Sequence, residues 1–327
     1  MNRRKFLQLG GAASAGALFA SYAGAQSTYP NHPVRLIVPR PAGGVVDVIA
    51  REWSNKVSMT FGDTFVDNIG GTGGTIGAAL AARAAADGYT LLFGTTSELV
   101  LSPVLAHLTY DPVASFAPIA IICESIAAIV VNPSVPAADL NALAAYARQH
   151  PDRLSYGSAG AGTVSNLAGE LFKRSAKLPD ITHIPYRGGG PAMSDLIAGH
   201  IPIMTPMMTE TIIALHRQGQ IKVLAVASEQ RLRSMPEIAT AAEQGYPDLI
   251  ARLFIGLFAP AKTPEPIIAK VEDVTRRAMQ DAALQASFAA AGFESVTNSD
   301  AASAARYLAD EIARWRPIAE QVGSSEK

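Results

Sequence analysis

The chain is poor in the residues that most often announce chemistry. Cysteine occurs once in 327 residues, so no internal disulfide can form, and Cys123 lies in an apolar stretch where a buried, inert thiol is expected. Charged residues make up 17% and aromatics 7%, and basic and acidic side chains nearly cancel, at 27 against 28. That balance argues against a nucleic-acid partner, which relies on clustered Lys and Arg. The six histidines show no metal-ligand spacing, and neither a nucleophile elbow, a P-loop nor a dinucleotide fingerprint can be laid on the chain. No metal or other cofactor is expected, and no catalytic triad assembles.

Long hydrophobic runs are scarce as well. The run from Leu7 to Ala20 is short for a bilayer span, follows the twin arginine of Arg3-Arg4-Lys5-Phe6-Leu7-Gln8, and leads to the small-x-small pattern Ala23-Gly24-Ala25. Residues 1–25 therefore read as a Tat-type export signal cut before Gln26. Its removal leaves 24 basic against 28 acidic residues, a formal −4. An anionic ligand would have to be attracted by local geometry, because net charge repels it.

What the chain has in quantity is apolar residues, 49% of the total, enough for two domains. Short apolar runs alternate with longer amphipathic ones, the pattern of a mainly parallel sheet flanked by helices. Strands are predicted at 34–38, 64–67, 90–94, 119–123, 127–131, 154–157, 182–186, 202–205, 223–228 and 254–259. Helices are predicted at 45–57, 76–86, 140–148, 165–174, 192–198, 265–279 and 301–314. Segments 118–136 and 246–263 are apolar and look like two crossings between domains. The division expected is one lobe of 26–124 plus 254–327 and a second of 125–253, enclosing a cleft able to close on a ligand.

Three glycine-rich turns each follow an apolar strand and open a helix: Pro39-Arg40-Pro41-Ala42-Gly43-Gly44, Gly157-Ser158-Ala159-Gly160-Ala161-Gly162-Thr163, and Arg187-Gly188-Gly189-Gly190-Pro191. Helix starts leave amides unpaired and carry partial positive charge, so turns without side chains there let an anion approach closely. Asp47 is placed to accept bonds from amides of the first turn, ordering it. Thr95, Thr96 and Ser97 bring hydroxyls to the carboxyl end of a strand, where they can donate to a carboxylate or cap a helix; Ser158, Thr163 and Ser165 offer the same chemistry on the second lobe. Asn68 is expected to hold the glycine loop that follows it by side-chain bonds. His183, inside a strand and without a spaced acidic partner, reads as structural rather than as a base.

The motifs Pro-x-Pro-Ala-Gly-Gly-x-x-Asp at 39–47, Asp67-Asn68 before a glycine turn, Asp87-Gly88-Tyr89-Thr90-Leu91-Leu92, Tyr110-Asp111-Pro112, Tyr156-Gly157-Ser158-Ala159-Gly160, Leu167-Ala168-Gly169-Glu170-Leu171-Phe172 and Pro185-Tyr186-Arg187-Gly188 occur in that order. The chain resembles the substrate-binding proteins of tripartite tricarboxylate transporters, the Bug family of periplasmic receptors. The resemblance implies a two-lobed, type II-like periplasmic binding protein fold, a location in the periplasm, no enzymatic activity, and a small organic acid held largely by backbone amides and waters. By position it points to Ala42, Gly43, Gly44 and Asp47 on one lobe and to Ser158, Ala159, Gly160, Thr163 and Ser165 on the other. It also implies membrane transporter subunits as partners; a receptor that feeds a sensor and a secreted enzyme using Asp47 or His183 as base are the alternatives. A monomer is expected.

Two departures bear on the ligand. Position 40, commonly aromatic in the family, is Arg40, which either binds a second carboxylate or points to solvent. Where the family often places an aromatic followed by aspartate, this chain has Thr205-Pro206-Met207-Met208, removing a partner for an amino group. The expected ligand is accordingly a mono- or dicarboxylate with an apolar or aromatic body, lined by Met207 and Met208.

Overall fold

In the computed structural model, residues 29–150, 154–178 and 180–325 are described; the export signal read at 1–25 lies outside them. The elements in order are β1 (Val34–Val38), α1 (Val45–Phe61), β2 (Thr64–Asn68), α2 (Thr75–Ala82), β3 (Thr90–Thr95), α3 (Ser102–Leu105), β4 (Phe116–Ile126), β5 (Ala128–Val131), α4 (Leu140–Gln149) and β6 (Ser155–Ser158). They continue with α5 (Val164–Ala176), β7 (Thr182–Pro185), α6 (Gly189–Ala198), β8 (Ile203–Met204), α7 (Glu210–Arg217), β9 (Lys222–Val226), β10 (Arg252–Pro260), α8 (Glu265–Ala278), α9 (Ala282–Ala290), β11 (Glu294–Ser295) and α10 (Ala301–Ser325).

The strands form two sheets, a 6-stranded one ordered β11-β4-β10-β3-β1-β2 and a 5-stranded one ordered β7-β6-β8-β5-β9. Both are mixed. In the first, β1, β2, β3 and β4 run one way and β10 and β11 the other; in the second only β5 is reversed. The inserted reversed strands are those by which the chain enters a sheet from its neighbour, β5 through Ala127 and β10 through Ala251. Strand pairing in the first sheet extends to Ile126 and Arg252. Although no repeat is visible in the sequence, the order β2-β1-β3-β10-β4 is repeated as β7-β6-β8-β5-β9.

At the crossing, three buried alanines close a ring of backbone hydrogen bonds. Ala127 N–H donates to Ala251 O (2.8 Å), Ala251 N–H to Ala227 O (2.9 Å) and Ala227 N–H to Ala127 O (2.8 Å).

Each sheet has an apolar core of its own on one face, around Trp53 and Phe93 in the first and around Met204 and Met235 in the second. A further core runs through both, joining Ile37 and Leu92 to Ile129, Tyr156 and Leu167, and the fully buried Trp315 of α10 belongs to it. The nearly continuous Val-Arg-Leu-Ile-Val of β1 is what a strand covered on both faces requires. α1 follows from the spacing of Val46, Ile49, Ala50, Trp53 and Val57, all buried. Four elements had no reading in the sequence: α3, α7, α9 and β11. α9, Ala-Ala-Leu-Gln-Ala-Ser-Phe-Ala-Ala, has too little polar contrast for a clear stripe, and β11 has only 2 residues.

Candidate functional site

Strand direction decides which loops face the gap between the sheets. β4 leaves the first sheet at its carboxyl end to become β5, and β1 and β3 point the same way, so the turns after β1 and β3 face the second lobe. β6, β7 and β8 run opposite to the entering β5, so their carboxyl ends face back toward the first lobe. All three glycine turns therefore border one cleft, two of them from the second lobe.

On the first lobe, Gly43 has φ 80°, a conformation that favours glycine, and Ala42 and Gly43 are exposed. Asp47 is buried beneath them. Its carboxylate accepts from Gly43 N–H (2.8 Å), Arg51 Nε (3.0 Å) and Asn68 Nδ2 (3.0 Å), and Asn68 Nδ2 also donates to Arg40 O (3.2 Å). Burial pushes the Asp47 carboxyl up, yet Arg51, the Gly43 amide and Asn68 outweigh it and hold the group below the ordinary aspartate range. Gly44 N–H makes a long bond to Pro41 O (3.4 Å). Among the described residues, the amides of Ala42, Val45, Val46 and Asp47, around the start of α1, have no protein acceptor.

On the second lobe the turn is ordered by uncharged groups. The buried Ser158 Oγ lies 2.7 Å from His183 Nε2, accepts from Gly160 N–H (3.1 Å) and donates to Gly160 O (3.2 Å). Ser165 Oγ donates to Thr205 O (2.6 Å) and accepts from Ala159 N–H (3.2 Å), while Thr205 Oγ1 donates to Ser165 O (2.5 Å). Thr163 caps α5, accepting from Asn166 N–H (3.2 Å) and donating to Gly160 O (2.7 Å). Asn166 Nδ2 lies 3.3 Å from His183 Nδ1, and His183 stacks on Tyr156. Among the described residues, the amides of Ala161, Val164 and Ser165, around the start of α5, have no protein acceptor.

The side chains chosen from the sequence thus serve largely to hold the turns. Thr96 is fully buried and accepts from Phe254 N–H (2.9 Å), bracing β3 against β10 rather than facing a ligand. Thr95 is engaged with Glu98 and Arg40; only Ser97 of the three is half-exposed, with no side-chain partner among the described residues. Arg40, read either as binding a second carboxylate or as pointing to solvent, has its guanidinium bonded to Glu98, Thr95, Gly73 O and Pro39 O. Met207 is half-buried against the shared core, whereas Met208 lies on the far side of the same segment and lines a different space, so the two methionines do not line one wall.

That space is a cavity of about 640 Å³ on the hinge side, between Ala282–Ser295 of the first lobe and Met208–Ile213 and Ser228–Ser234 of the second. Of the residues expected from the sequence to meet the ligand, only Met208 borders it. Sequence reasoning missed Glu98, whose signal was a lone carboxylate beside the apolar run Leu99-Val100-Leu101, and Asn166 and Thr205, which carried none. Among the described residues no group of His, Cys, Asp and Glu can hold a metal, and no helix is long and apolar enough to cross a membrane.

A two-lobed α/β fold with anion-ready helix starts facing one another defines a class of solute-binding receptors. Residues 49–324 match the tripartite tricarboxylate transporter family receptor, and the chain belongs to that family. BugT of Bordetella pertussis is 31% identical over 303 residues, covering 92% of each chain. A protein of Agrobacterium vitis from the TAR-I ttuE-ttuC' intergenic region is 32% identical over 302 residues, covering 91% of this chain and 87% of the relative. MatC from Rhodopseudomonas palustris, solved with bound malate, superposes with a TM-score of 0.71 at 31% identity over 89% of this chain and 100% of that one. A second R. palustris protein, solved with adipate, gives 0.73 at 30% identity over 90% and 98%. A Polaromonas solute-binding protein of the family without ligand gives 0.82 at only 26% identity over 90% and 100%.

Proposed function

We propose that this chain is a periplasmic receptor that captures a small organic acid between its lobes and passes it to the membrane subunits of a tripartite tricarboxylate-type transporter. The observation that carries the reading is the pair of amide-rich helix starts, α1 and α5, on opposite sides of one cleft. A hydrogen bond to a charged group contributes about 1.5–3 kcal/mol. A few such bonds approach the roughly 8 kcal/mol of a micromolar complex after ordering costs. Malate and adipate in related structures support a carboxylate as ligand.

The lobes proposed are 26–124 with 254–327, and 125–253, swinging about the alanine ring. The better superposition on a ligand-free relative than on two ligand-bound ones supports an open arrangement here. Ligand contacts are assigned to the turns at Ala42–Gly44 and Ala159–Gly160, to the neighbouring open amides, and to Ser97 and Met207. Export through the Tat route with cleavage near Ala25, action as a monomer and the absence of catalysis complete the reading. Native mass spectrometry of protein recovered from the periplasm is expected to show a bound small acid that is released unchanged. Protein that carries none, and whose melting temperature no organic acid raises, sinks the proposal.

A further inference from the structure

We propose that the back of the hinge regulates acid capture: Gly292 is a stop and Glu294 a tie, and together they hold the cleft open until a ligand closes it. The inference rests on the carboxylate-receptor reading and the lobe division above.

Strand order sets the cleft and the cavity on opposite sides of the pivot. In the first sheet β3, β1 and β2 lie beyond β10 on the cleft side, whereas β11 lies beyond β4 at the other edge. In the second sheet β8, β6 and β7 lie beyond β5, and the segment 228–234 follows β9 at the opposite edge. Residues of α9, β11 and 228–234 wall the cavity of about 640 Å³, and the alanine ring stands between it and the cleft. Swinging the lobes together over a ligand therefore draws the cavity walls apart, as the two ends of a lever move.

Those walls already meet. Gly292 has φ 83°, and a Cβ there would lie 2.9 Å from Met208 O and 2.9 Å from Thr209 Cγ2, so the two lobes touch at a distance that a glycine allows. Backbone against backbone gives little, and further opening is blocked at this point. Further along the first-lobe wall, Glu294 Oε1 accepts from the Arg233 amide of the second lobe (3.2 Å). Both walls are anchored: Val296 N–H donates to Ile122 O (2.9 Å), holding β11 to β4, and Met208 N–H donates to Ile126 O (2.7 Å). A third link is weaker, because Arg252, bonded to Glu311 of α10 (3.0 Å), stands 3.6 Å from the exposed carboxylate of Glu229.

The cleft side differs. The hydrogen bonds that order the turns at 39–47 and 157–165 all stay within their own lobes. The contacts at Gly292 and Glu294 belong to the open form, and closure breaks them. Contacts made in the open form alone lower the closed fraction, and apparent affinity falls with that fraction.

Calorimetry on the mature receptor with malate, adipate, succinate and benzoate tests this. Glu294→Ala removes the tie. Thr209→Ser removes the methyl that meets Gly292 and keeps the hydroxyl that caps α7. Together they are expected to raise affinity about threefold or more, by one common factor for every acid that binds, because neither residue borders the cleft. A cysteine pair, Thr209→Cys with Gly292→Cys, acts in the opposite sense by fixing the walls together. Oxidised protein should bind at least about tenfold more weakly than the same protein reduced. Cys123, the native thiol, is buried and does not compete.

Wild-type protein that binds an acid, beside a Glu294→Ala, Thr209→Ser variant with equal or weaker affinity, overturns the inference and leaves the receptor reading standing. A gain that differs from acid to acid overturns it as well, since a shift in lobe populations acts on all ligands alike. So does equal binding by the oxidised and reduced cysteine pair; if that pair does not fold, the first variant decides alone. Binding of none of these acids by wild-type protein, with no thermal shift across a wider acid panel, removes the receptor reading and this inference together.

Discussion

The glycine turns of the two lobes do the same job by different electrostatics. The turn at 39–47 is braced by charges: Asp47 with Arg51 and Asn68 beneath it, and Arg40 with Glu98 beside it. The turn at 157–165 is braced by hydroxyls and an amide, through Ser158, Ser165, Thr163 and Asn166, with His183 as their ring partner. In both, side chains tie up the amides nearest the glycines and leave those at the helix start open. A carboxylate held between them would meet a turn whose order depends on ionisation and another whose order rests on hydroxyls and an amide.

The largest effect expected from breaking this contrast is at Gly74. Gly74→Ala places a methyl against the Arg40 guanidinium and Glu98 at a left-handed backbone position, and should destabilise the protein by about 3 kcal/mol or more in denaturant melts. Asp47→Ala comes next, at about 2–3 kcal/mol, because it leaves Arg51 and Asn68 facing a gap and frees the Gly43 amide. Asp47 also marks the charged turn by pH. Its folded pKa lies below the value of about 3.9 for an unpaired aspartate, so its stabilisation is complete above that pH and is lost as pH falls through the lower folded value. Asp47→Asn should flatten that part of the acid limb in a series of melts; a limb identical to wild type counts against the assignment.

On the hydroxyl-braced turn, Ser158→Ala should cost about 1–2 kcal/mol, since it removes the bonds of Ser158 Oγ to His183 and to the Gly160 amide. A loss equal to that of Asp47→Ala would erase the distinction between the turns. Smallest of all is Arg187→Gln, expected to change stability by less than about 0.5 kcal/mol while slowing acid association at low salt, as read by stopped-flow fluorescence.

Much of the local structure was legible in the chain. β1 and β3 follow from short runs that are mostly apolar, α1 from the spacing of Val46, Ile49 and Trp53, and the glycine turns from the breaks between them. α9 and β11 were not legible, because an alanine-rich helix has little polar contrast and a strand of 2 residues has no period. The direction of β10 was hidden for another reason: its sequence is that of any buried strand, and only the return from the other lobe makes it antiparallel to β3.

The sequence by itself determined that this protein would be built from strand-turn-helix units with glycine turns at the helix starts, since those properties are local, set by spacing and by the absence of side chains. Which turns meet across a cleft, and which side chains are free within it, depended on pairings between distant segments. Arg40 and Glu98 stand 58 positions apart, and Ser158 and His183 25 apart. A side chain's partners are fixed by folding in space, so Arg40, which in the chain reads equally as a contact for a second carboxylate or as a solvent-facing cation, becomes half of an ion pair with Glu98 in the fold.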